Sequence, residues 1–99
     1  MRNATLMCDD IIQQIERFRF RRAHLTAEWR NKGYTLFAVE TGQPIARLRP
    51  IGRDDLMELF YWSLRKERWR SVGPFGQTIV PINEALQIIA GEPIFWVGI

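Results

Sequence analysis

Met57-Glu58-Leu59-Phe60-Tyr61-Trp62-Ser63-Leu64, then Arg65-Lys66-Glu67, then Arg68-Trp69-Arg70-Ser71-Val72: this stretch decides the fold, and it reads as a β-hairpin. The first arm is apolar and aromatic on both alternating rows, Met57/Leu59/Tyr61 and Phe60/Trp62/Leu64. A strand with two apolar rows is covered on both faces, or on one face with a groove or partner on the other. The second arm sets Arg68 and Arg70 against Trp69 and Ser71, so one of its rows is wet. The first arm therefore belongs at the centre of a sheet and the second nearer its edge.

Upstream of the hairpin the period of two continues. Leu25, Ala27 and Trp29 alternate with Thr26, Glu28 and Arg30, and Asn31-Lys32-Gly33 follows as a turn, with Gly33 expected to supply positive φ. Tyr34 to Glu40 is the next strand, Thr41-Gly42-Gln43 turns the chain, and Pro44 opens a third strand that runs through Arg49. Pro50-Ile51-Gly52-Arg53-Asp54-Asp55 is a loop. The sum is an antiparallel meander of about five strands in which sequence neighbours are spatial neighbours.

Helical spacing appears at both ends. Ile11, Ile15, Phe18 and Arg22 make one stripe, with Asp9 and Asp10 suited to the cap and Arg17, Arg19, Arg21 and Arg22 to the C-terminal end, so a helix is expected from Asp9 to about Arg22. The alternation Arg17-Phe18-Arg19-Phe20-Arg21 also fits a strand. Gly73-Pro74-Phe75-Gly76-Gln77 reads as a loop. Ile82 to Ala90 reads as a second helix stopped by Gly91. The tail Glu92-Pro93-Ile94-Phe95-Trp96-Val97-Gly98-Ile99 is too apolar to stand in water, so it packs back or meets a partner. The fold class is α+β, one domain over residues 1–99, with residues 1–8 a candidate disordered segment.

Composition sets the outer limits. Ninety-nine residues, 46% of them hydrophobic, support a single core without disulfide or metal. The lone Cys8 excludes an internal disulfide and a multi-cysteine zinc site. No signal peptide and no apolar run near about 18 residues is present, so a cytoplasmic protein without a membrane partner is expected. The net charge of +3 is unevenly spread: residues 1–71 hold all 14 basic residues and 9 of the 11 acids, leaving residues 72–99 at −2. Twelve of the basic residues are Arg, whose fork suits carboxylates, phosphates and aromatic faces. Arg stems also cover apolar sheet edges.

No catalytic set emerges. His24 stands alone, Cys8 neighbours two aspartates that disfavour a thiolate, and Asp54-Asp55 with Arg53 is ordinary turn chemistry. The chain holds no G-x-x-x-x-G-K-[ST], no G-x-G-x-x-G and no H-x-E pattern, so neither an enzyme nor a cofactor or metal is expected. The basic and aromatic residues form the one constellation left. Arg17, Arg19, Arg21, Arg22, Arg47, Arg49, Arg65, Lys66, Arg68 and Arg70 are candidate contacts to nucleic acid or another anion. Trp62, Trp69, Phe95 and Trp96 are candidate interface residues.

In order and spacing the chain resembles a bacterial family known only as a domain of unknown function. The resemblance rests on Arg17–Arg22, His24-Leu25, Gly33-Tyr34-Thr35-Leu36-Phe37, Ala46-Arg47-Leu48, Tyr61-Trp62, Arg68-Trp69, Asn83–Ala90 and Ile94-Phe95-Trp96. It implies the same architecture and brings no activity, cofactor or substrate. The sequence thus points to a non-catalytic module that binds another protein or itself as a two-fold homodimer. Nucleic-acid binding through the hairpin and first helix is the alternative; an enzyme using His24 or Asp54-Asp55 ranks last.

Overall fold

The computed structural model describes residues 2–73 and 77–97, with side chains from Asp10 onward. Helix α1 spans Arg2–Arg17, followed by strands β1 (Leu25–Arg30), β2 (Gly33–Ala38), β3 (Pro44–Pro50), β4 (Leu56–Ser63), β5 (Arg68–Ser71) and β6 (Ile79–Pro81). Helix α2 (Ile82–Gly91) and a 3₁₀ turn (Pro93–Trp96) complete the chain. The strands pair antiparallel in the order β1-β2-β3-β4-β5, and β6 also pairs with β4. This is the α+β meander with a helix at each end that the alternation pattern predicts, enlarged by one short strand.

β4 is central, as its two apolar rows require. One edge meets β3, while the other is divided between β5 (Phe60 to Ser63) and β6 (Leu56 to Glu58). Between those two partners the Leu59 amide donates to the Thr78 carbonyl (3.0 Å), and Thr78 Oγ1 donates to the Val72 carbonyl (2.6 Å). The loop after β5 is thereby tied back without a gap in the ladder. Pro74, Phe75 and Gly76, part of the loop read from the sequence, lie outside the described residues.

Alternation sends one row of each strand to the core. Leu25, Ala27, Tyr34, Leu36, Ala38, Ala46, Leu48, Met57 and Leu59 are buried there against Ile15, Phe20, Ile82, Leu86, Ile89, Phe95 and Trp96. Opposite Leu36 and Phe37 the register shifts, so Ile45 is the extra residue of a bulge and enters the core beside Ala46. Gln14 Nε2 donates to Asn83 Oδ1 (2.7 Å), joining α1 and α2 in one layer. Among the described residues no helix is long and apolar enough to cross a membrane.

Three local expectations are corrected. α1 begins at Arg2, not Asp9, and ends at Arg17, not Arg22. On a helix Phe18 and Phe20 would diverge by roughly 200°. The non-helical chain brings the two rings together (4.6 Å between centroids) and sets Phe20 against Trp96 (6.1 Å). Arg19, Arg21 and Arg22 consequently lie outside the helix, exposed. In the β1–β2 turn positive φ is carried by Asn31 (51°) and Lys32 (62°), the two central residues of a type I′ hairpin, while Gly33 already belongs to β2 opposite Arg30.

The third correction concerns the end of α2. Gly91 is its last residue and has no positive φ; the stop comes from Pro93, which holds Glu92 extended at φ −99°, ψ 121°. Two orphan carbonyls of the last turn are then satisfied from beyond the helix. The Glu92 amide donates to Ile88 O (3.0 Å), and Trp96 Nε1 donates to Ile89 O (2.8 Å). Phe95 and Trp96, candidate interface residues by sequence, therefore pack back as core residues, while Ile94 and Val97 are exposed and Gly98 and Ile99 of the expected tail lie outside the described residues.

Two substitutions test this packing by urea unfolding. Trp96→Ala is expected to destabilise by about 3–5 kcal/mol, and Trp96→Phe, which keeps a ring but loses the indole donor, by about 1–2 kcal/mol. Lys32→Gly relieves the left-handed backbone and is expected to raise stability by about 0.5–1 kcal/mol after the entropy glycine adds to the unfolded chain.

Candidate functional site

Both helices and the 3₁₀ turn pack on one side of the sheet, α1 also meeting the β1 edge where Thr26 Oγ1 donates to Glu16 Oε2 (2.6 Å), and among the described residues no helix lies over the other side. Strand register puts Glu28 and Arg30 of β1, Thr35 and Phe37 of β2, Arg47 and Arg49 of β3, Phe60 and Trp62 of β4 and Trp69 of β5 on that uncovered face. The second apolar row of β4 thus has no helix above it. Its rings, half-buried, are shielded from the side. Arg49 lies over Phe60 (5.4 Å to the centroid), Arg30 lies over Phe37 (6.0 Å), and Trp62 meets Trp69 edge to face at 5.1 Å.

Two of these arginines carry their own carboxylates. Arg30 pairs with Glu28 at the exposed rim. Arg49 Nη2 donates to Glu58 Oε1 at 2.5 Å, and Gln77 Nε2 approaches Glu58 Oε2 at 3.4 Å, so Glu58 is buried while its cation stays half in water.

Arg47, between them, is different. Its Nη2 donates to the Asn31 carbonyl (2.6 Å), and its Nη1 donates to the Arg30 carbonyl (3.1 Å) and to Thr35 Oγ1 (3.2 Å). All three acceptors are neutral oxygens, and among the described residues no carboxylate pairs with it. Burial, and after it the charges of Arg49 and Arg30, hold its guanidinium below the usual arginine value. The type I′ turn is what aims the Arg30 and Asn31 carbonyls at this side chain. Gly33 makes the approach feasible, since a Cβ there would stand 2.7 Å from Arg47 Nη2 and 2.8 Å from Cζ. The guanidinium lies in a groove of about 440 Å³ walled by Phe37, Pro44, Trp62 and Trp69.

The fold separates the basic residues that the sequence groups together. Arg68 and Arg70 project to the helix side, opposite Ser63 and Tyr61, where with Tyr61 and Ile94 they line a second groove of about 700 Å³. Arg65 and Lys66 are exposed in the β4–β5 turn, and Arg17, Arg19, Arg21 and Arg22 are exposed at and beyond the end of α1. Only Arg47, Arg49, Trp62 and Trp69 of the expected set share the open face. Phe60 joins them as the row it shares with Trp62 in the sequence implies, whereas Arg30 and Phe37 join unannounced; the pairing of Phe37 with Thr26 and of Arg30 with Gly33 is the signal that places those two, and it exists only once register is known.

His24 is exposed, its carbonyl accepting the Val39 amide (2.8 Å). Asp54, at φ 51°, belongs to the turn that the Leu56 amide closes on the Arg53 carbonyl (3.1 Å). Among the described residues no three His, Cys, Asp or Glu side chains converge as a metal site. The Cys8 side chain lies outside the described residues. No family model, no curated protein and no solved structure matches this chain.

The Arg49–Glu58 pair gives an asymmetric expectation. Arg49→Met strands a buried carboxylate and is expected to cost about 2–3 kcal/mol, whereas Glu58→Gln leaves a guanidinium that water can solvate and costs about 1 kcal/mol. Urea unfolding of both variants at neutral pH checks the order.

Proposed function

We propose that this protein is a non-catalytic module that binds single-stranded nucleic acid across the uncovered face of its sheet. One arrangement supports this reading: Phe37, Phe60, Trp62 and Trp69 share that face with Arg30, Arg47 and Arg49, and among the described residues Arg47 has no carboxylate partner. Open sheet faces that take single strands combine rings for base stacking with cations for the backbone. Phe95 and Trp96 of the apolar tail, one of the sequence's arguments for a protein partner, are taken up by the core.

Self-association is the second reading, favoured by a different observation. Among the described residues the outer edge of β1 pairs with no strand, and although α1 meets its start through Thr26 and Glu16, Trp29 near its end is 46% exposed. An antiparallel β1–β1 contact between two copies would cover both. Light scattering separates the two: a monomer at every concentration removes the homodimer.

For the nucleic-acid reading, labelled single-stranded pyrimidine oligomers are expected to bind at low ionic strength. Affinity should fall as salt rises, with a log–log slope of about −0.7 per phosphate neutralised. Trp62→Ala and Trp69→Ala should each weaken binding by about 1–3 kcal/mol if each ring stacks one base. Fluorescence anisotropy measures both, and the absence of any salt-sensitive binding at low ionic strength sinks the proposal.

A further inference from the structure

We infer that Arg47 is a preformed phosphate receptor in the middle of the open face, holding one backbone phosphate while a neighbouring base lies against Trp62 and Trp69. This rests on the nucleic-acid reading and adds where, and through which donor, the strand is gripped.

The argument begins with the donors. A guanidinium has five N–H groups. Arg47 directs both on Nη1 and one on Nη2 to the Arg30 and Asn31 carbonyls and Thr35 Oγ1. Nε–H and one Nη2–H remain, the number that a bidentate oxyanion accepts. Among the described residues no buried side-chain nitrogen or oxygen lacks a partner, so the unpaired Nε is not sealed inside the protein. Three fixed acceptors orient the fork before any ligand arrives, which removes much of the ordering entropy that a free surface arginine loses on binding.

Electrostatics point the same way. Arg47 stands partly desolvated between two like charges, each of which has its own carboxylate, while among the described residues it has none. An arriving anion supplies the missing countercharge. The groove beside it, about 440 Å³, falls within the range of small-ligand sites (about 300–1,000 Å³), and two of its walls are indoles. A phosphate joined to a flat base matches a cation joined to flat rings; an acidic peptide would match only the cation.

Gly33 provides the test. Its backbone has no positive φ to forbid alanine, and the atoms that a Cβ would strike belong to the far end of the Arg47 side chain and not to backbone, so that end is what must shift. Gly33→Ala therefore displaces the guanidinium while every charge stays in the protein. A labelled single-stranded oligouridylate is the probe, with circular dichroism as the control for folding. Gly33→Ala and Arg47→Gln are each expected to weaken binding by about tenfold or more and to reduce the salt slope by about 0.7. Arg47→Lys keeps the charge but not the fork, so it should lose affinity with the slope retained.

Wild-type affinity and slope in both Gly33→Ala and Arg47→Lys would overturn the inference and leave the open-face reading standing. If Gly33→Ala fails to fold, the Arg47 pair decides alone by the same criterion. Failure of the wild-type protein to bind the oligomer sinks the underlying reading as well. Displacement of the oligomer by polyglutamate at equal charge concentration would overturn the assignment in favour of an acidic peptide.

Discussion

A sheet of six strands has two faces, and two short helices with one 3₁₀ turn can cover only one of them. That shortage governs the rest of the molecule. β4 carries apolar side chains on both rows because it lies between β3 on one edge and β5 with β6 on the other. Its Met57/Leu59 row meets the helices and is buried outright. Its Phe60/Trp62 row is sheltered by neighbouring side chains: arginines laid over phenyl rings, and one indole turned edge-on to another. Each contact contributes modestly, about 0.5–1 kcal/mol at a site this wet. Together they let an unroofed face carry four large rings.

Shielding rings with arginines has an electrostatic consequence. Three guanidinium groups on one face repel one another unless anions intervene. Glu28 and Glu58 answer two of them. Arg47 is held instead by carbonyl dipoles of the β1–β2 turn and by Thr35, a geometry that exists only because residue 33 has no side chain. Turn chemistry, a missing Cβ and a partly desolvated cation are thus one construction. The residues that keep the open face stable are the ones a bound strand would touch, so binding and stability draw on the same side chains.

Much of the architecture follows from local rules that short windows of sequence obey. The alternation in Leu25–Arg30 and the two-sided apolar runs Tyr34–Glu40 and Met57–Leu64 mark strands to within a residue or two of Gly33–Ala38 and Leu56–Ser63, the spacing of Ile82, Leu86 and Ile89 marks a helix, and the aromatic tail is too apolar for water. Local rules conflict in Arg17–Arg22, where helical and extended spacing both fit. The packing of Phe18 and Phe20 settled it, with Trp96 as the distant partner. Gly33 was legible as special but for the wrong reason: its need is room for a side chain fourteen positions on, not a left-handed backbone.

The sequence by itself determined the α+β meander, with its five main strands in order, its second helix and the neighbourhoods where the hairpins turn, because these depend on residues within a few positions of one another. Only the tertiary structure decided which apolar row of β4 is roofed and which is left open. It also sent Arg68 and Arg70 to one side and Arg47 and Arg49 to the other, and among the described residues left Arg47 alone of the open-face arginines without a carboxylate. Faces and partners are properties of register between strands far apart in the chain, and a one-residue slip would exchange them all.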